Sequence, residues 1–338
     1  MSPLTHYRTL GTNGPQVAPI GLGCMGMSGV YGTADEAESL RTIHAALDAG
    51  INLLDSGDFY GMGHNEHLLR QVLKERRSEA LVCIKFGAMR SPDGAFIGLD
   101  NRPAAVKNFL AYSLERLGTD YIDVYYPARV DRSVPVEDTI GALVEMREKG
   151  FIRYIGLSEA GPETIRRAHA VHPIAMLQIE YSVVTRSIED RILPTIRELG
   201  ISITAYGVLS RGLLSSQPLT IDPTRRDFRA LLPRFQAANM QWNQLLIDRL
   251  QVIAKKKGCS LAQLAIAWVL AQGNDIIPLV GARTVSRLAE ALPAVDIELT
   301  AEDLTTISQA APPGSIAGDR YSPEQMAHLD SEQPAAGA

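Results

Sequence analysis

Cysteine and aromatic residues are scarce in this chain. It has three cysteines and two tryptophans among 338 residues, and aromatic residues make up 6% of it. The cysteines, Cys24, Cys83 and Cys259, are too few and too widely spaced for a disulfide framework. None of them belongs to a CxxC motif or to a Cys/His cluster with the spacing of zinc ligands. We therefore expect reduced thiols, no metal site and a cytoplasmic location.

Long apolar runs and blocks of one charge are also missing. No apolar run approaches the roughly 20 residues that a membrane-spanning helix needs, and the first residues do not show a basic segment followed by an apolar core, as a secretion signal would. The formal net charge of −5 is spread along the chain, so there is no basic surface for nucleic acid. We expect neither a membrane nor a nucleic acid as a partner, and the sequence predicts no oligomeric state.

Strand-like runs and amphipathic stretches alternate through most of the chain. Eight strand-then-helix units occupy about 275 residues, and this alternation requires crossovers between parallel strands. The size matches a (β/α)8 TIM barrel, of class α/β, better than an open sheet. We predict one domain over residues 1–330 and a disordered tail over 331–338. The predicted helices span residues 35–49, 65–74, 102–117, 136–149, 162–170, 188–199, 242–257, 261–270 and 284–292.

Three segments outside the repeating units have local signatures. The Asn-Gly pair in "YRTLGTNGPQVAPI" predicts an N-terminal β-hairpin that caps the barrel floor. Thr300 and Asp303 form a capping-box pattern, which predicts an additional C-terminal helix. The long connection over residues 215–241 is of a length that is usually functional or disordered.

The segment "GLGCMG", Gly21 to Gly26, matches the GxGxxG pattern of dinucleotide-binding folds. In that motif a helix begins within the glycines, and its N-terminus meets the pyrophosphate. Here ten residues, "MSGVYGTADE", precede any helical pattern. We therefore interpret these glycines as positions of close backbone approach.

Polar residues that follow strands in a barrel lie at one end, where active sites form. "LLDSGDFYG" places Asp55 and Tyr60 at the end of one predicted strand, and Lys85 ends the next one. A lysine after four apolar residues needs a carboxylate partner, and Asp55 is the natural candidate. Such a pair beside a tyrosine could tune Tyr60 as a proton donor. An equally good interpretation is a structural ion pair with Tyr60 covering the rim.

Several segments together resemble the aldo-keto reductase family. They are "DSGDFYG", "GHNEHLLR", "IKFG", "LERLGTDYIDVYY", "IRYIGLS", "LQIEYS", "ITAYGVLSRGLL" and "IIPLVGARTVSRLAEAL", and they occur in the family's order from the hairpin to about Leu329. The resemblance implies that Tyr60 is the proton donor, that Lys85 lowers its pKa, and that Asp55 is the carboxylate paired with Lys85. It also implies a carbonyl reductase that uses NADPH, with NADH as an alternative.

The same resemblance assigns residues to the cofactor. Ser158 and Gln178 would bind the nicotinamide carboxamide, and Tyr206 would stack under the nicotinamide ring. The other positions that it assigns to the cofactor are Leu209, Arg211 and Gly212 at the pyrophosphate, and Gly281, Arg283 and Arg287 near the adenosine 2′-phosphate. Arg283 and Arg287 are four residues apart at a predicted helix start, where one face and the N-terminus would both favour an anion.

One family residue is missing. Ala128 occupies the place of the catalytic histidine, and a methyl group donates no hydrogen bond. The first hypothesis remains an NADP-dependent reductase of small neutral carbonyl compounds. A second is a nicotinamide-binding sensor subunit with weak or no turnover. A third is a barrel hydrolase that uses Asp58, Glu159 or Glu180, but this hypothesis leaves Lys85 without a role.

Overall fold

The computed structural model describes residues 4–217, 219, 221 and 227–333. Its centre is a closed barrel of eight parallel strands, in which each strand pairs with the next one along the chain and the last pairs with the first. The predicted TIM barrel is confirmed. The barrel strands are β3 (Gly21–Gly23), β4 (Leu53–Gly57), β5 (Leu81–Phe86), β8 (Ile122–Pro127), β9 (Ile152–Ser158), β10 (Met176–Glu180), β11 (Ser202–Tyr206) and β12 (Ile276–Val280).

Amphipathic helices surround the strands, and most of them lie within two residues of the predicted bounds. They are α1 (Glu36–Asp48), α2 (His64–Arg76), α3 (Pro103–Leu117), α4 (Val136–Glu148), α5 (Pro162–Val171), α6 (Ile192–Glu198), α7 (Ala237–Lys256), α8 (Leu261–Leu270), α9 (Val285–Ala291), α10 (Ala301–Ala310) and α11 (Pro323–Ala327).

Two helix starts were predicted wrongly. Helix α6 begins at Ile192 rather than at residue 188, because Arg191 before it has non-helical backbone angles. Helix α7 begins at Ala237 rather than at residue 242. Residues 236–239, at its N-terminus, are largely exposed. This turn therefore lacks the apolar periodicity on which the prediction depended.

The apolar side chains form two packed layers. One fills the barrel itself and includes Leu53, Val124 and Ile277, and the larger one lies between strands and helices. Gly21 is in β3, where an added Cβ would lie 2.7 Å from the Leu53 side chain. This position needs glycine for close packing. A short 3-10 turn (Met25–Ser28) begins within "GLGCMG", but the first α-helix begins only at Glu36, so these glycines do not meet an α-helix N-terminus as a dinucleotide motif requires.

The floor of the barrel is capped as predicted. Strands β1 (Arg8–Thr9) and β2 (Gln16–Val17) form an antiparallel hairpin, and Thr300 and Asp303 form the predicted capping box of α10. A depression of about 1210 Å³ lies at this end, lined by Arg8, Arg197 and Asp275 among others. None of the strand-end residues proposed for catalysis borders it.

The opposite end is covered by two elements that the sequence analysis did not predict. A second hairpin, β6 (Ala88–Arg90) and β7 (Phe96–Leu99), follows β5, and the ring of Phe96 contacts that of His328 just beyond α11. A short 3-10 turn, Asp330–Glu332, ends the described chain. The long connection contains two 3-10 turns, Phe228–Leu231 and Pro233–Phe235, and residues 218, 220 and 222–226 lie outside the described part.

The first residues of the predicted tail contact the rest of the chain. Ser331 and Glu332 form hydrogen bonds with Arg320, and the Ser331 hydroxyl also binds Glu159. They therefore belong to the packed protein, while residues 334–338 of the predicted tail lie outside the described residues. Within the described ranges, no helix is both long enough and apolar enough to cross a bilayer.

Candidate active site

The strand register brings four buried polar residues together at the carboxyl end of the barrel. Gly57 of β4 pairs with Lys85 of β5, and Lys85 pairs with Tyr126 of β8. Asp55 and Gln178 lie inside β4 and β10, and hydrogen bonds join their side chains to those of Lys85 and Tyr126 in one cluster. Each is at most 5% exposed.

Asp55 is the centre of this cluster. Lys85 Nζ lies 2.6 Å from Asp55 Oδ1, so the predicted ion pair is confirmed. Asp55 Oδ2 accepts hydrogen bonds from the Tyr126 hydroxyl and from Gln178 Nε2, the latter at 2.7 Å. Three donors around one carboxylate offset the cost of removing it from water. The pair is therefore held in a fixed orientation.

Tyr60 lies beside this ion pair. Its ring centroid is 5.0 Å from Lys85 Nζ, and its backbone amide donates to Gly57 O at 3.0 Å, which closes the turn after β4. Burial and the charge of Asp55 raise the pKa of Tyr60 well above 10, and Arg129 is the cation that opposes the rise. The prediction that Lys85 lowers this pKa stays a prediction, and in the structure Lys85 Nζ is paired with Asp55. Tyr60 keeps its proton at neutral pH.

Tyr126 has a larger part in the site than the sequence indicated. Its hydroxyl donates to Asp55 and accepts from Lys85 Nζ at 3.3 Å and from Gln178 Nε2 at 2.9 Å. Gln178 was assigned to the nicotinamide carboxamide, but its amide nitrogen is committed to Asp55 and Tyr126. A tyrosine that ends a strand next to the one ending in Lys85 was the available signal.

Replacing Tyr126 with phenylalanine is expected to lower the free energy of unfolding by about 1–3 kcal/mol, because buried partners of the hydroxyl lose a hydrogen bond. Urea denaturation of the two proteins measures this difference. Tyr112→Phe is the matched control, since Tyr112 is 57% exposed. Equal losses in the two variants would contradict the network.

Two buried serine hydroxyls near the barrel mouth have no hydrogen-bond partner within the described residues. They are Ser158 Oγ, at the end of β9, and Ser210 Oγ, after β11. Buried hydroxyls are normally satisfied, so each marks a position where a ligand would supply the partner. Ser158 is the residue assigned to the carboxamide, and Ser210 lies between the predicted pyrophosphate residues Leu209 and Arg211. The residues present thus fit a bound dinucleotide.

Glu159 follows Ser158 and is fully buried. Its carboxylate accepts from both terminal nitrogens of Arg320, at 2.7 and 2.6 Å, and from the Tyr206 hydroxyl at 2.7 Å. Arg320 thereby holds the pKa of Glu159 down, to about 2, against the opposing effect of burial. Tyr206 also exchanges a hydrogen bond with the Tyr321 hydroxyl, at 3.0 Å. Neither Arg320 nor Tyr321 was predicted from the sequence, because both are distant from Glu159 along the chain.

The predicted pyrophosphate loop has a left-handed backbone. Ser210, Arg211 and Gly212 have φ values of 45°, 55° and 103°. The Arg211 guanidinium points to Glu180, with Nη2 at 2.9 Å from Oε2, and its side chain is only 5% exposed. The Arg211 side chain is therefore committed to an ion pair, and the amides of Ser210 and Gly212 already donate to Gly207 O and Leu209 O within the loop.

Arg283 and Arg287 lie at the start of α9, after exposed Gly281. Burial and the charges of Arg287 and Arg229 lower the pKa of Arg283, and Asp227 opposes the decrease. Arg283 donates to the backbone oxygens of Tyr31 and Thr33, and Arg229 is paired with Asp227. The helix itself starts at Val285 and leaves Arg283 outside it.

The structure does not support the expected binding of an anion by the N-terminus of α9. The Glu38 carboxylate accepts from Val285 N at 2.9 Å, and the Thr284 hydroxyl accepts from Arg287 N at 3.3 Å. These protein groups already satisfy two of the amides that a phosphate would use. Attraction of an anion to this region therefore falls to the arginine side chains.

The missing histidine leaves a specific gap. Ala128 is 2% exposed and its amide donates to Phe86 O at 2.8 Å, so the chain path after β8 is fixed. Arg129 donates to the Tyr321 hydroxyl at 3.4 Å. No carboxylate lies within 4 Å of its guanidinium among the residues that the structure describes.

The hydrolase hypothesis weakens, because Glu159 and Glu180 are both bound by arginines.

A second buried cluster lies behind the Tyr60 turn. Asp58 Oδ1 and Glu66 Oε1 have no hydrogen-bond partner in the described part of the chain. Burial and the charge of Glu66 raise the pKa of Asp58 to about 8, and Arg116 opposes the rise. Arg116 forms an ion pair with Glu66. Asp58 is therefore mostly protonated at neutral pH, which the sequence did not indicate.

Comparisons with known proteins agree with this geometry. The model of the "Aldo/keto reductase family" matches residues 19–312. A "Probable aldo-keto reductase 1" from Glycine max is 42% identical over 317 residues, which cover 92% of this chain and 90% of the relative.

Solved structures give the same result. A glycerol dehydrogenase from Gluconobacter oxydans has a TM-score of 0.81 and 28% identity, with 98% of each chain covered. The holo form of an aldo-keto reductase from Bacillus halodurans has a TM-score of 0.75 and 30% identity, and covers 90% of this chain and 96% of its own. The chain therefore belongs to the aldo/keto reductase family, whose members are carbonyl oxidoreductases that generally use nicotinamide cofactors.

Proposed function

We propose that the protein reduces a small uncharged aldehyde or ketone to an alcohol with NADPH as the hydride source, and that Tyr60 donates the proton. The observation that carries the proposal is the position of Tyr60 beside the buried Lys85–Asp55 pair, 5.0 Å from Nζ to the ring centroid. A general acid must hold its proton until the oxygen of the substrate becomes basic. The raised pKa of Tyr60 satisfies this condition.

The cofactor would lie across the barrel mouth. Bound there, it supplies hydride to the carbonyl carbon. Ser158 and Ser210 would donate or accept hydrogen bonds with their unsatisfied hydroxyls, and Tyr206 would support the nicotinamide ring. The loop of Leu209, Arg211 and Gly212 would receive the pyrophosphate. The charges of Arg283 and Arg287 at the start of α9 support a 2′-phosphate and hence NADPH over NADH.

Aromatic side chains support an uncharged substrate. The hydroxyls of Tyr31 and Tyr321 lie close enough to Tyr60 to raise its pKa further, and Phe59 contacts the Tyr60 ring edge-on at 4.8 Å between centroids. Such rings bind apolar groups of a carbonyl compound and leave one polar group to orient it. The three sparse, unpaired cysteines support a reducing compartment, and we propose the cytosol.

Steady-state oxidation of NADPH and of NADH by the purified protein, across aliphatic, aromatic and dicarbonyl compounds, tests the proposal. We expect turnover with several uncharged carbonyls and a lower KM for NADPH than for NADH. Tight binding of NADPH without turnover on any compound would instead favour a nicotinamide-binding sensor. Ala128 is the observation behind that second function, because the usual donor to the carbonyl is missing. Removal of one such donor typically costs about 3–4 kcal/mol of transition-state stabilisation, which slows a reductase without abolishing it.

A further inference from the structure

The C-terminal segment reaches into the mouth of the barrel at Glu159. Besides Arg320 and Tyr206, the Glu159 carboxylate accepts from the Ser331 hydroxyl at 2.6 Å and from the Glu180 amide at 3.1 Å. Five donors therefore hold a carboxylate that is fully buried. Two of the residues that hold it, Arg320 and Ser331, come from the end of the chain.

The backbone around Glu159 is held by the same segment. Glu159 has a φ of 51°, in the left-handed region that residues other than glycine seldom adopt. Its carbonyl accepts from Ser331 N at 3.0 Å, and Asp330 Oδ2 accepts from Gly161 N at 2.7 Å. A Cβ at Gly161 would lie only 2.9 Å from Asp330 O. The end of β9, including Ser158, is thus shaped by close docking of the C-terminal turn.

The acidic and basic side chains around Arg320 largely compensate one another's charge. Arg320 is 3% exposed and faces Glu159 with both terminal nitrogens, while Glu332, at 2.7 Å, is its second acidic partner. Glu180 lies farther from Arg320, at 3.8 Å, and is neutralised by Arg211 and Arg234. Removing Arg320 would therefore leave Glu159 without its cation, and removing Glu159 would leave Arg320 with Glu332 alone, so each change alters the net charge near Tyr206 and Ser158 by one unit.

We propose that Arg320 and the turn Asp330–Glu332 are part of the nicotinamide site, and that the Glu159–Arg320 pair sets the relative affinity for the oxidised and the reduced cofactor. The inference rests on the proposed function, which places the nicotinamide at Ser158 and Tyr206. The oxidised ring carries a positive charge and the reduced ring carries none. A net charge beside the ring therefore changes the affinity for one form and leaves the other nearly unaffected.

The two members of the pair make opposite predictions. Arg320→Gln leaves Glu159 uncompensated, so binding of NADP⁺ should strengthen relative to NADPH by about tenfold. Glu159→Gln leaves Arg320 with Glu332 as its remaining close partner, so the ratio should shift toward NADPH by about fivefold. Arg129 and the Glu180 ion pairs are the same in both variants. The sign of each shift in the affinity ratio therefore depends only on the charge that was altered.

Calorimetry tests these two predictions. The dissociation constants of NADP⁺ and NADPH are measured at pH 8 with no carbonyl compound present. Arg166→Gln is the matched control, because Arg166 forms a bidentate pair with Glu198 on the exposed surface. The ratio of the two constants should stay within twofold of the wild type in the control and move in opposite directions in the two test variants.

Shifts of the same sign, or an unchanged ratio in Glu159→Gln, would overturn the inference. If Arg320→Gln does not fold, Glu159→Gln decides alone, since its amide has nearly the same shape as the carboxylate. Circular dichroism establishes that each variant is folded. A wild-type protein that binds neither nucleotide would refute the proposed function itself, and an unchanged ratio in a protein that binds both refutes the charge balance alone.

Discussion

Replacing Tyr60 with phenylalanine is expected to reduce kcat for carbonyl reduction by about a thousandfold, since a positioned general acid typically contributes 10²- to 10⁴-fold. Among the described residues, no hydrogen bond joins the Tyr60 hydroxyl to Lys85 or Asp55. The Lys85–Asp55 pair should therefore remain intact in the variant. Cofactor affinity should therefore change little. Single-turnover oxidation of bound NADPH, together with calorimetric binding, separates the chemical step from binding.

Tyr112→Phe serves as the control, because Tyr112 lies on the exposed face of α3, far along the chain from the strand ends. It should retain full activity. A Tyr60→Phe protein that keeps more than about a tenth of the wild-type kcat would show that another group supplies the proton. Arg129 would then be the first residue to test, because its charge acts on Tyr60 in the structure.

Asp58→Asn is expected to stabilise the protein at neutral and alkaline pH. The pKa of Asp58 is about 8 when folded, whereas an unfolded aspartate has a pKa of about 4. Between these values the unfolded chain is ionised while the folded chain must keep the proton, so the wild type loses stability as pH rises from about 4 to 8. Asparagine has no such proton to keep. The variant should gain roughly 2–4 kcal/mol over the wild type by pH 7.

Urea denaturation at several pH values measures this difference. It should be small near pH 4, grow as pH rises, and become constant above about pH 8. Asp120→Asn, at an exposed position, should show no comparable trend. A constant difference between wild type and Asp58→Asn across this range would mean that Asp58 is ionised in the folded protein, with Arg116 compensating its charge.

Local patterns in the sequence predicted the barrel well. Strand and helix periods, helix caps and the Asn-Gly hairpin depend on neighbouring residues, so they can be recognised without the fold. Asp55, Lys85 and Tyr60 were also predicted from local order, because each one lies at or just after the end of a predicted strand. The start of α7 was missed for the same reason, since its first turn is exposed and carries no apolar pattern.

Only the tertiary structure shows which residues that lie far apart along the chain contact each other. Tyr126 and Gln178 were placed on the strand ends by sequence, but whether their side chains face a cofactor or Asp55 depends on strand register and barrel tilt. The protonation of Asp58 depends on how deeply Glu66 and Arg116 are buried beside it.

The sequence alone determined that this chain is an α/β barrel with an ion pair and a tyrosine at one end. It determined this because strand ends in a barrel must meet. Only the tertiary structure decided that Arg320 and Ser331, 161 and 172 residues after Glu159 along the chain, donate hydrogen bonds to its carboxylate. The physical reason is that a buried carboxylate forms hydrogen bonds with whichever donors the fold brings close to it. No local pattern in the sequence predicts donors that lie so far away along the chain.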